Sequence, residues 1–236
     1  MLTKNHKKLI KSLHQKKYRD LHGLFLVEGE KCVQELLNSD YEIEFLLALE
    51  TLRSSFSEAE ILEEKELKTL SAFKTSPGVL AVAKKRTSAM DSTGDKIILL
   101  DNLKDPGNLG TIVRTAEWFG VKDIFLSPEC VEEFNPKVVQ STMGSLFRVA
   151  IHRCKLPEKI TELKDEKFCF YAADMSGENV KNVKWSSKSA LVVGSESHGI
   201  SAEVSSLMDK KITIIGKGEA ESLNAAVAAS IIINYW

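Results

Sequence analysis

The fold is indicated most clearly by residues 97–119, which read IILLDNLKDPGNLGTIVRTAEWF. The four consecutive apolar residues from Ile97 to Leu100 are typical of a parallel strand that is covered on both faces. A Pro106-Gly107 turn signal follows. Apolar residues then recur at helical spacing, which predicts a helix over 108–119. A strand followed by a loop and a helix is half of a βαβ unit, so this stretch predicts an α/β domain.

The same alternation extends in both directions from this stretch. Towards the C-terminus, the pattern predicts strands over 123–126, 147–151, 168–172, 190–193 and 212–215 and a helix over 223–235. Towards the N-terminus, it predicts helices over 4–19, 31–37 and 58–66 and strands over 25–27, 43–49 and 79–83. Residues 87–95 are polar and aperiodic, which is typical of a linker. We therefore expect a small α/β domain over 1–86, a linker over 87–95 and a larger, mainly parallel α/β domain over 96–236.

Composition places the chain among ordinary globular proteins and excludes several classes. Of its 236 residues, 43% are apolar and 28% are charged. No apolar run is long enough to span a membrane, and no secretory signal follows the basic N-terminus, so we expect a cytoplasmic protein. The four cysteines and five histidines show no metal-ligand spacing, so we expect no metal site.

Charge is distributed unevenly along the chain. The net charge is −1, yet residues 1–19 contain seven basic and no acidic residues. A local basic patch can bind a phosphate backbone even in a neutral chain. The candidate residues for binding a phosphate backbone are Lys7, Lys8, Lys11, Lys16, Lys17 and Arg19. The alternative interpretation is a solvated terminal helix.

Three stretches place glycines and polar residues where a predicted strand ends, which is where open α/β sheets bind ligands. They are residues 101–116, 194–201 and 214–228. In the first, Asn108 is a plausible helix N-cap and Arg114 a plausible surface residue. In the third, Ser222 is a natural N-cap. Neither G-x-G-x-x-G nor a P-loop is present, which disfavours a nucleotide-dependent enzyme.

Together the three stretches resemble the signature motifs of the SpoU/TrmH family of RNA ribose 2′-O-methyltransferases. The first resembles N-x-G-x-x-x-R-x-A and the second resembles G-x-E-x-x-G. The third resembles I-P-x-x-G-x-x-x-S-L-N-x-x-x-A, with Ile215 in place of the proline. The matching residues are Asn108, Gly110, Arg114 and Ala116, then Gly194, Glu196 and Gly199, then Ile214, Gly218, Ser222, Leu223, Asn224 and Ala228. The N-terminal segment, with Phe25-Leu26-Val27-Glu28-Gly29, looks like the L30e-like substrate-binding domain of many family members.

This resemblance implies a trefoil-knotted catalytic domain that is active as a homodimer and takes S-adenosylmethionine as its cofactor. The residues implied to contact the cofactor are Gly194, Ile214, Leu223, Ala172 and Ala173. The residues implied to be catalytic are Arg114, Asn108, Glu196, Ser222 and Asn224. Arg114 is implied to activate the ribose hydroxyl, either as a proton acceptor or as a cation that stabilises developing alkoxide charge.

The resemblance leaves the substrate open. It favours ribosomal RNA, because the N-terminal domain type occurs in members that act on it, with transfer RNA as the alternative. A non-catalytic RNA-binding protein that retains the fold is the second hypothesis. The joint presence of the five implied catalytic residues argues against it.

Overall fold

The computed structural model of the protein describes residues 2–86 and 94–236, so most of the predicted linker lies outside the described residues. The chain forms two compact units. Unit 1 comprises Met1–Thr87 and Glu132–Phe147, and unit 2 comprises Ser88–Val131 and Arg148–Trp236. A segment from the second half of the chain is thus part of the N-terminal unit.

The first eight elements are four helices and four strands. In chain order they are α1 (Lys4–Ser12), α2 (Lys16–His22), β1 (Leu24–Glu28), α3 (Glu30–Leu37), β2 (Ile43–Leu49), β3 (Glu60–Leu62), α4 (Glu64–Leu70) and β4 (Val79–Lys84). The later elements are β5 (Lys96–Leu100), α5 (Pro106–Trp118), β6 (Asp123–Leu126), α6 (Pro136–Ser141), β7 (Ala150–Arg153), α7 (Leu156–Asp165), β8 (Cys169–Asn179), β9 (Ser189–Val193), α8 (Ala202–Ser205), β10 (Lys210–Thr213) and α9 (Ala225–Asn234).

Unit 1 is built on a mixed four-stranded sheet in the order β1-β4-β2-β3. Strand β4 is antiparallel to both β1 and β2, and β3 is parallel to β2. Apolar side chains from α1, α4 and the sheet form one core, with Ile10, Leu13, Leu67 and Leu70 fully buried. Packing of these helices on the sheet is what buries the apolar stripe of each.

Unit 2 is a six-stranded sheet in the order β10-β8-β9-β5-β6-β7, in which every described strand pair is parallel. The apolar run Ile97 to Leu100 is buried throughout, as a strand covered on both faces requires. The α/β prediction with a mainly parallel C-terminal sheet is confirmed.

The strand order contains a switch point beside β5. From β5 the chain adds β6 and β7 on one side, and it then places β8, β9 and β10 on the other. The connections that leave β5 and β9 lead to opposite sides of the sheet, and in such sheets ligands bind at the carboxyl ends of the two strands concerned. The topology predicts that any ligand of unit 2 binds there.

Three secondary-structure predictions in the sequence are wrong in detail. The predicted helix over 58–66 is instead the short strand β3 followed by α4, because Ile61 and Leu62 pair with Ala48 and Leu49 of β2. The predicted helix over 4–19 is two helices, α1 and α2. The strand predicted over 147–151 begins only at Ala150, after a 3₁₀ turn at Ser145–Phe147.

The helix starts in unit 2 are also displaced from those predicted. Asp105, and not Asn108, is the N-cap of α5, since its carboxylate accepts from the Asn108 backbone N–H at 2.8 Å. Asn224, and not Ser222, is the N-cap of α9 and accepts from the N–H groups of Ala226 and Val227. Both Asn108 and Ser222 are thereby free of the capping role that the sequence alone offered.

The inserted segment of unit 1 is held by a buried ion pair. Arg19 is 2% exposed, and its Nε donates to Glu132 Oε2 at 2.8 Å. Its Nη1 donates to the backbone oxygen of Leu13 at 2.8 Å, while Lys85 donates to the other Glu132 oxygen at 2.7 Å. Arg19 is therefore part of the core, so we remove it from the predicted RNA-binding residues.

Candidate active site

The loops that follow β5 and β9 meet at the carboxyl edge of unit 2. Asp101, the first residue after β5, is buried, and its Oδ2 accepts from the Ser201 N–H at 2.7 Å. This bond fixes the end of the β9 loop against the end of β5. The two loops that sequence analysis singled out separately thus form one site.

Three polar side chains, which we call the polar triad, join at this point: Asn108, Glu196 and Asn224. Asn108 Nδ2 donates to Glu196 Oε1, and Asn224 Nδ2 donates to Asn108 Oδ1 at 2.9 Å. Asn108 comes from the first turn of α5, Glu196 from the β9 loop and Asn224 from the start of α9. Three segments far apart in the sequence are therefore tied to one buried amide.

The loop that carries Glu196 is closed on itself. Ser195 and Gly199 exchange two backbone hydrogen bonds, each 2.9 Å. Gly194 has no room for a side chain, because a Cβ there would lie 2.1 Å from the Gly199 carbonyl carbon. Glycine is thus required at this position by close backbone packing.

The five predicted cofactor-binding residues lie along the same edge. Ala172 is in β8, Gly194 follows β9 and Ile214 follows β10, and these three strands are neighbours in the sheet. Leu223 lies directly before the N-cap of α9. Ala172 is the last residue of β8 that pairs with β9, so Gly194, Ala172 and Ile214 follow one another across neighbouring strands.

Strand β8 is interrupted at this edge. Ala172 pairs with Lys211, yet the next pair is Glu178 with Ile212, so residues 173–177 protrude from the ladder. The backbone and side-chain donors of Ser176 lower the pKa of Asp174 to about 2, with help from Lys211 at 2.9 Å. These contacts of Asp174 tie the protrusion that includes Ala173 to Lys211 of β10.

Arg114 and Ser222 are placed differently from the polar triad. Both side chains are exposed, and neither forms a hydrogen bond or ion pair within residues 2–86 and 94–236. Arg114 belongs to α5, the helix whose first turn holds Asn108. Its guanidinium is therefore free to meet a ligand, as is the Ser222 hydroxyl.

Sequence reasoning missed two residues that build the site, Asp101 and Asp105. Both were visible as signals: Asp101 is the first polar residue after an apolar run, and Asp105 precedes a proline at a helix start. His198, in the loop after β9, hydrogen-bonds only its neighbours Ser197 and Ser195 among the described residues.

The predicted basic residues of unit 1 divide into two groups. Lys8, Lys11, Lys16 and Lys17 are exposed. Lys7, one turn before Lys11 on α1, is partly buried and forms an ion pair with Glu66 of α4. Exposed lysines therefore remain on α1 and on α2.

The described residues show neither a metal-binding cluster nor a membrane-spanning helix. The described residues contain no group of three or more His, Cys, Asp or Glu side chains arranged to hold a metal ion. Within the same residues, no helix combines the length and apolar character needed to cross a bilayer.

Comparison with known families gives two matches on this chain. Residues 95–234 match the SpoU rRNA Methylase family, and residues 4–81 match the MRM3-like substrate binding domain. The chain is also 35% identical over 229 residues to the 23S rRNA (guanosine(2553)-2′-O)-methyltransferase RlmP of Bacillus subtilis, covering 94% of this chain and 92% of the relative.

Solved structures agree over the full length. A putative RNA methyltransferase of the TrmH family from Porphyromonas gingivalis superposes with a TM-score of 0.90 at 33% identity, covering 100% of this chain and 98% of the other. The AdoMet-bound rRNA methyltransferase from Sinorhizobium meliloti superposes with a TM-score of 0.85 at 29% identity, covering 100% and 95%. The similarity therefore includes both units.

Proposed function

The chain belongs to the SpoU rRNA Methylase family, and on that premise we propose that it transfers a methyl group from S-adenosylmethionine to a ribose 2′-hydroxyl in RNA. The observation that carries the proposal is the polar triad, which lies at the sheet's switch point beside the proposed cofactor residues. The coverage of the Bacillus subtilis relative, whose name specifies 23S rRNA, supports ribosomal RNA over transfer RNA as the substrate.

The residues at the carboxyl edge fit the proposed cofactor. Met175, in the protrusion of β8, and Ile215 and Leu223, in the loop between β10 and α9, are large apolar side chains left exposed. Apolar walls with a few polar groups are typical of small-molecule sites. Gly194, Ile214, Leu223, Ala172 and Ala173 would hold the cofactor there, and its sulfonium would supply an electrophilic methyl group.

The chain's own residues then have to align the ribose 2′-hydroxyl with the methyl group and assist the loss of its proton. Alignment of donor and acceptor supplies much of the rate gain in such a displacement. Glu196 and Asn224 position Asn108 from opposite sides, and the Ser222 hydroxyl lies close in sequence to Asn224. Arg114 contacts the ribose oxygen in this proposal, and as a cation it stabilises the charge that develops when the proton leaves.

The exposed lysines of α1 and α2 would bind the RNA backbone, which supports a substrate-binding role for residues 1–86. Large apolar side chains on α5 and α9, including Trp118, Val227 and Tyr235, are exposed on unit 2. Exposed apolar patches of this kind mark interaction sites, which supports the proposed homodimer. The trefoil knot stays a prediction from the family, and the cytoplasmic location stays a prediction from the sequence.

The competing hypothesis is an RNA-binding protein without catalysis. A binding protein would have no need of an exposed arginine, unpartnered within the described residues, on the same helix that contributes Asn108 to the polar triad. The presence of this arrangement together with the apolar loops favours the enzyme.

The test is methyl transfer from labelled S-adenosylmethionine to 23S rRNA, 16S rRNA and transfer RNA from a strain that lacks the protein. We expect label in 23S rRNA at one linkage that resists alkaline cleavage. Binding of both cofactor and RNA without any label would overturn the enzymatic proposal and favour the binding protein.

A further inference from the structure

Among the described residues, three exposed large apolar side chains belong neither to the cofactor loops nor to α5 and α9 with their C-caps, namely Leu21, Leu37 and Met143, and Leu21 is the most exposed of them. Leu21 on α2 is 68% exposed, a value close to those of Met175 (70%) and Ile215 (60%). Unlike those two, it lies in unit 1. The surface around it therefore needs its own explanation.

The orientation of α2 is set by its one buried side chain. Arg19 points inwards to Glu132 and to the Leu13 carbonyl. At about 100° per residue, Lys17 and Leu21 then point outwards, with Tyr18 and His22 along one flank. We call Lys17, Tyr18, Leu21 and His22 the outer face of α2.

The outer face combines flat rings with a cation. The Tyr18 and His22 rings are 6.4 Å apart between centroids and inclined by only 14°. Lys17 Nζ lies 5.7 Å from the Tyr18 ring centroid and has no ion-pair partner in the described part of the chain. Tyr18 is half-buried and His22 is exposed, so the rings are held by the helix and reachable from solvent.

The opposite flank of α2 carries no uncompensated negative charge. Asp20, its acidic residue, lies 2.6 Å from Lys85 and 3.9 Å from Lys16. Beyond the short turn that precedes α2, the exposed lysines Lys8 and Lys11 continue the positive surface along α1. A polyanion is thus the partner that charge favours.

We propose that the outer face of α2 stacks an unpaired base of the substrate RNA on Tyr18 and His22, with Lys17 on the adjacent phosphate. The inference rests on the proposed function and adds to it a single-stranded element in the substrate. Aromatic side chains recognise RNA by stacking on splayed-out bases, whereas paired bases hide their faces. A site of this kind accepts any base in the stacked position, but it requires that the strand be unpaired.

The experiment measures binding of the full chain to a 12-nucleotide oligouridine that carries a central 2-aminopurine, and to the matched duplex. The variants are Tyr18→Leu, which keeps apolar bulk without a π face, and Tyr18→Phe, which keeps the ring. We expect Tyr18→Leu to weaken single-strand binding about 5- to 150-fold and to abolish the quenching of 2-aminopurine. Tyr18→Phe should bind as the wild type does.

Salt dependence separates stacking from charge. Lys17→Ala should lower the slope of log K against log salt by about 0.7, the single-strand value for one phosphate contact, whereas Tyr18→Leu should leave it unchanged. Cofactor binding and melting temperature should be unaltered in all variants. His22→Ala, at an exposed position, is the second variant should Tyr18→Leu unfold.

Wild-type affinity and quenching in both Tyr18→Leu and His22→Ala would overturn the inference, as would equal weakening by Tyr18→Phe. These failures differ from failure of the proposed function. If the wild type methylates ribosomal RNA while the α2 variants bind normally, only the stacking inference is lost. If the wild type neither binds RNA nor transfers methyl groups, the proposed function itself is lost.

Discussion

Asn224 donates its side-chain amide to Oδ1 of Asn108 at 2.9 Å, across 116 residues of sequence. The direction of this bond is determined from both ends. Glu196 can only accept, so the Asn108 NH₂ faces it and Oδ1 faces Asn224. The Asn224 oxygen accepts from the first N–H groups of α9, so its NH₂ faces Asn108.

Because Asn108 both donates and accepts, we expect Asn108→Asp to be as damaging as Asn108→Ala despite its nearly equal shape. Aspartate cannot donate to Glu196 and places like charges together. Each variant should lower kcat/KM about 100-fold through misalignment of the site. Steady-state methyl transfer measures this loss of activity. Near wild-type activity in Asn108→Asp would contradict the hydrogen-bond directions given above for the polar triad.

The hydrogen bonds of the polar triad also predict that its members are energetically coupled. Asn108→Ala and Asn224→Ala should be strongly non-additive, with an interaction energy of about 0.5–3 kcal/mol in a double-mutant cycle. Additive losses would mean that the two side chains act independently.

Substitution of Gly194 tests whether the loop after β9 needs its close backbone packing to bind the cofactor. Gly194→Ala should displace the Gly199–Ile200 backbone, and we expect at least tenfold weaker S-adenosylmethionine binding by calorimetry. A Cβ at Gly216 meets no atom within 4 Å, so Gly216→Ala is the matched control for stability and should melt as the wild type does. Unchanged cofactor affinity in Gly194→Ala would show that the loop does not contact the cofactor.

Removing one partner of the buried ion pair of unit 1 should destabilise the protein more than removing both partners. Arg19→Met leaves Glu132 buried with only Lys85, and we expect a loss of about 3 kcal/mol or more in the free energy of unfolding. Arg19→Met with Glu132→Leu should recover much of that loss, since no buried charge is then unpaired. Urea titration of the two variants measures this difference, and equal losses would contradict the argument.

Exposed and paired lysines of α1 should affect RNA binding differently. Lys8→Ala with Lys11→Ala should lower the salt slope of RNA binding by about 1.5 to 2 units if both contact phosphates. Lys7→Ala, which removes a residue paired with Glu66, should leave the slope nearly unchanged. The same slope in the double variant and the wild type would exclude α1 from the RNA interface.

Much of unit 2 could be predicted because its signals are local. Apolar runs such as Ile97 to Leu100 mark buried parallel strands, and glycines with polar residues mark the loops at their ends. The pairing of Asn108 with Glu196 and Asn224 was beyond reach of periodicity alone, because it depends on strand order. Family motifs supplied the grouping that spacing could not.

The errors have physical causes of the same kind. The short strand β3 is stabilised by pairing with β2, which outweighs the helical preference of the glutamate-rich sequence around it. The sequence pattern predicted Arg19 to be a surface cation because its ion-pair partner, Glu132, is far away in sequence. Helix starts were misplaced because Asn108 and Ser222 have good capping side chains, yet Asp105 and Asn224 hold the capping geometry.

The most direct test of the central claim compares wild type, Arg114→Ala and Arg114→Lys in methyl transfer to 23S rRNA, with ribose methylation read by nucleoside mass spectrometry. Arg114 is exposed and unpartnered in the described residues, so the melting temperature should not change. We expect Arg114→Ala to lower kcat at least about 1,000-fold, as loss of a charge-stabilising group does, with cofactor binding retained. 2′-O-methylated nucleoside from the wild type and none from Arg114→Ala is the predicted result; equal product from both would contradict the account.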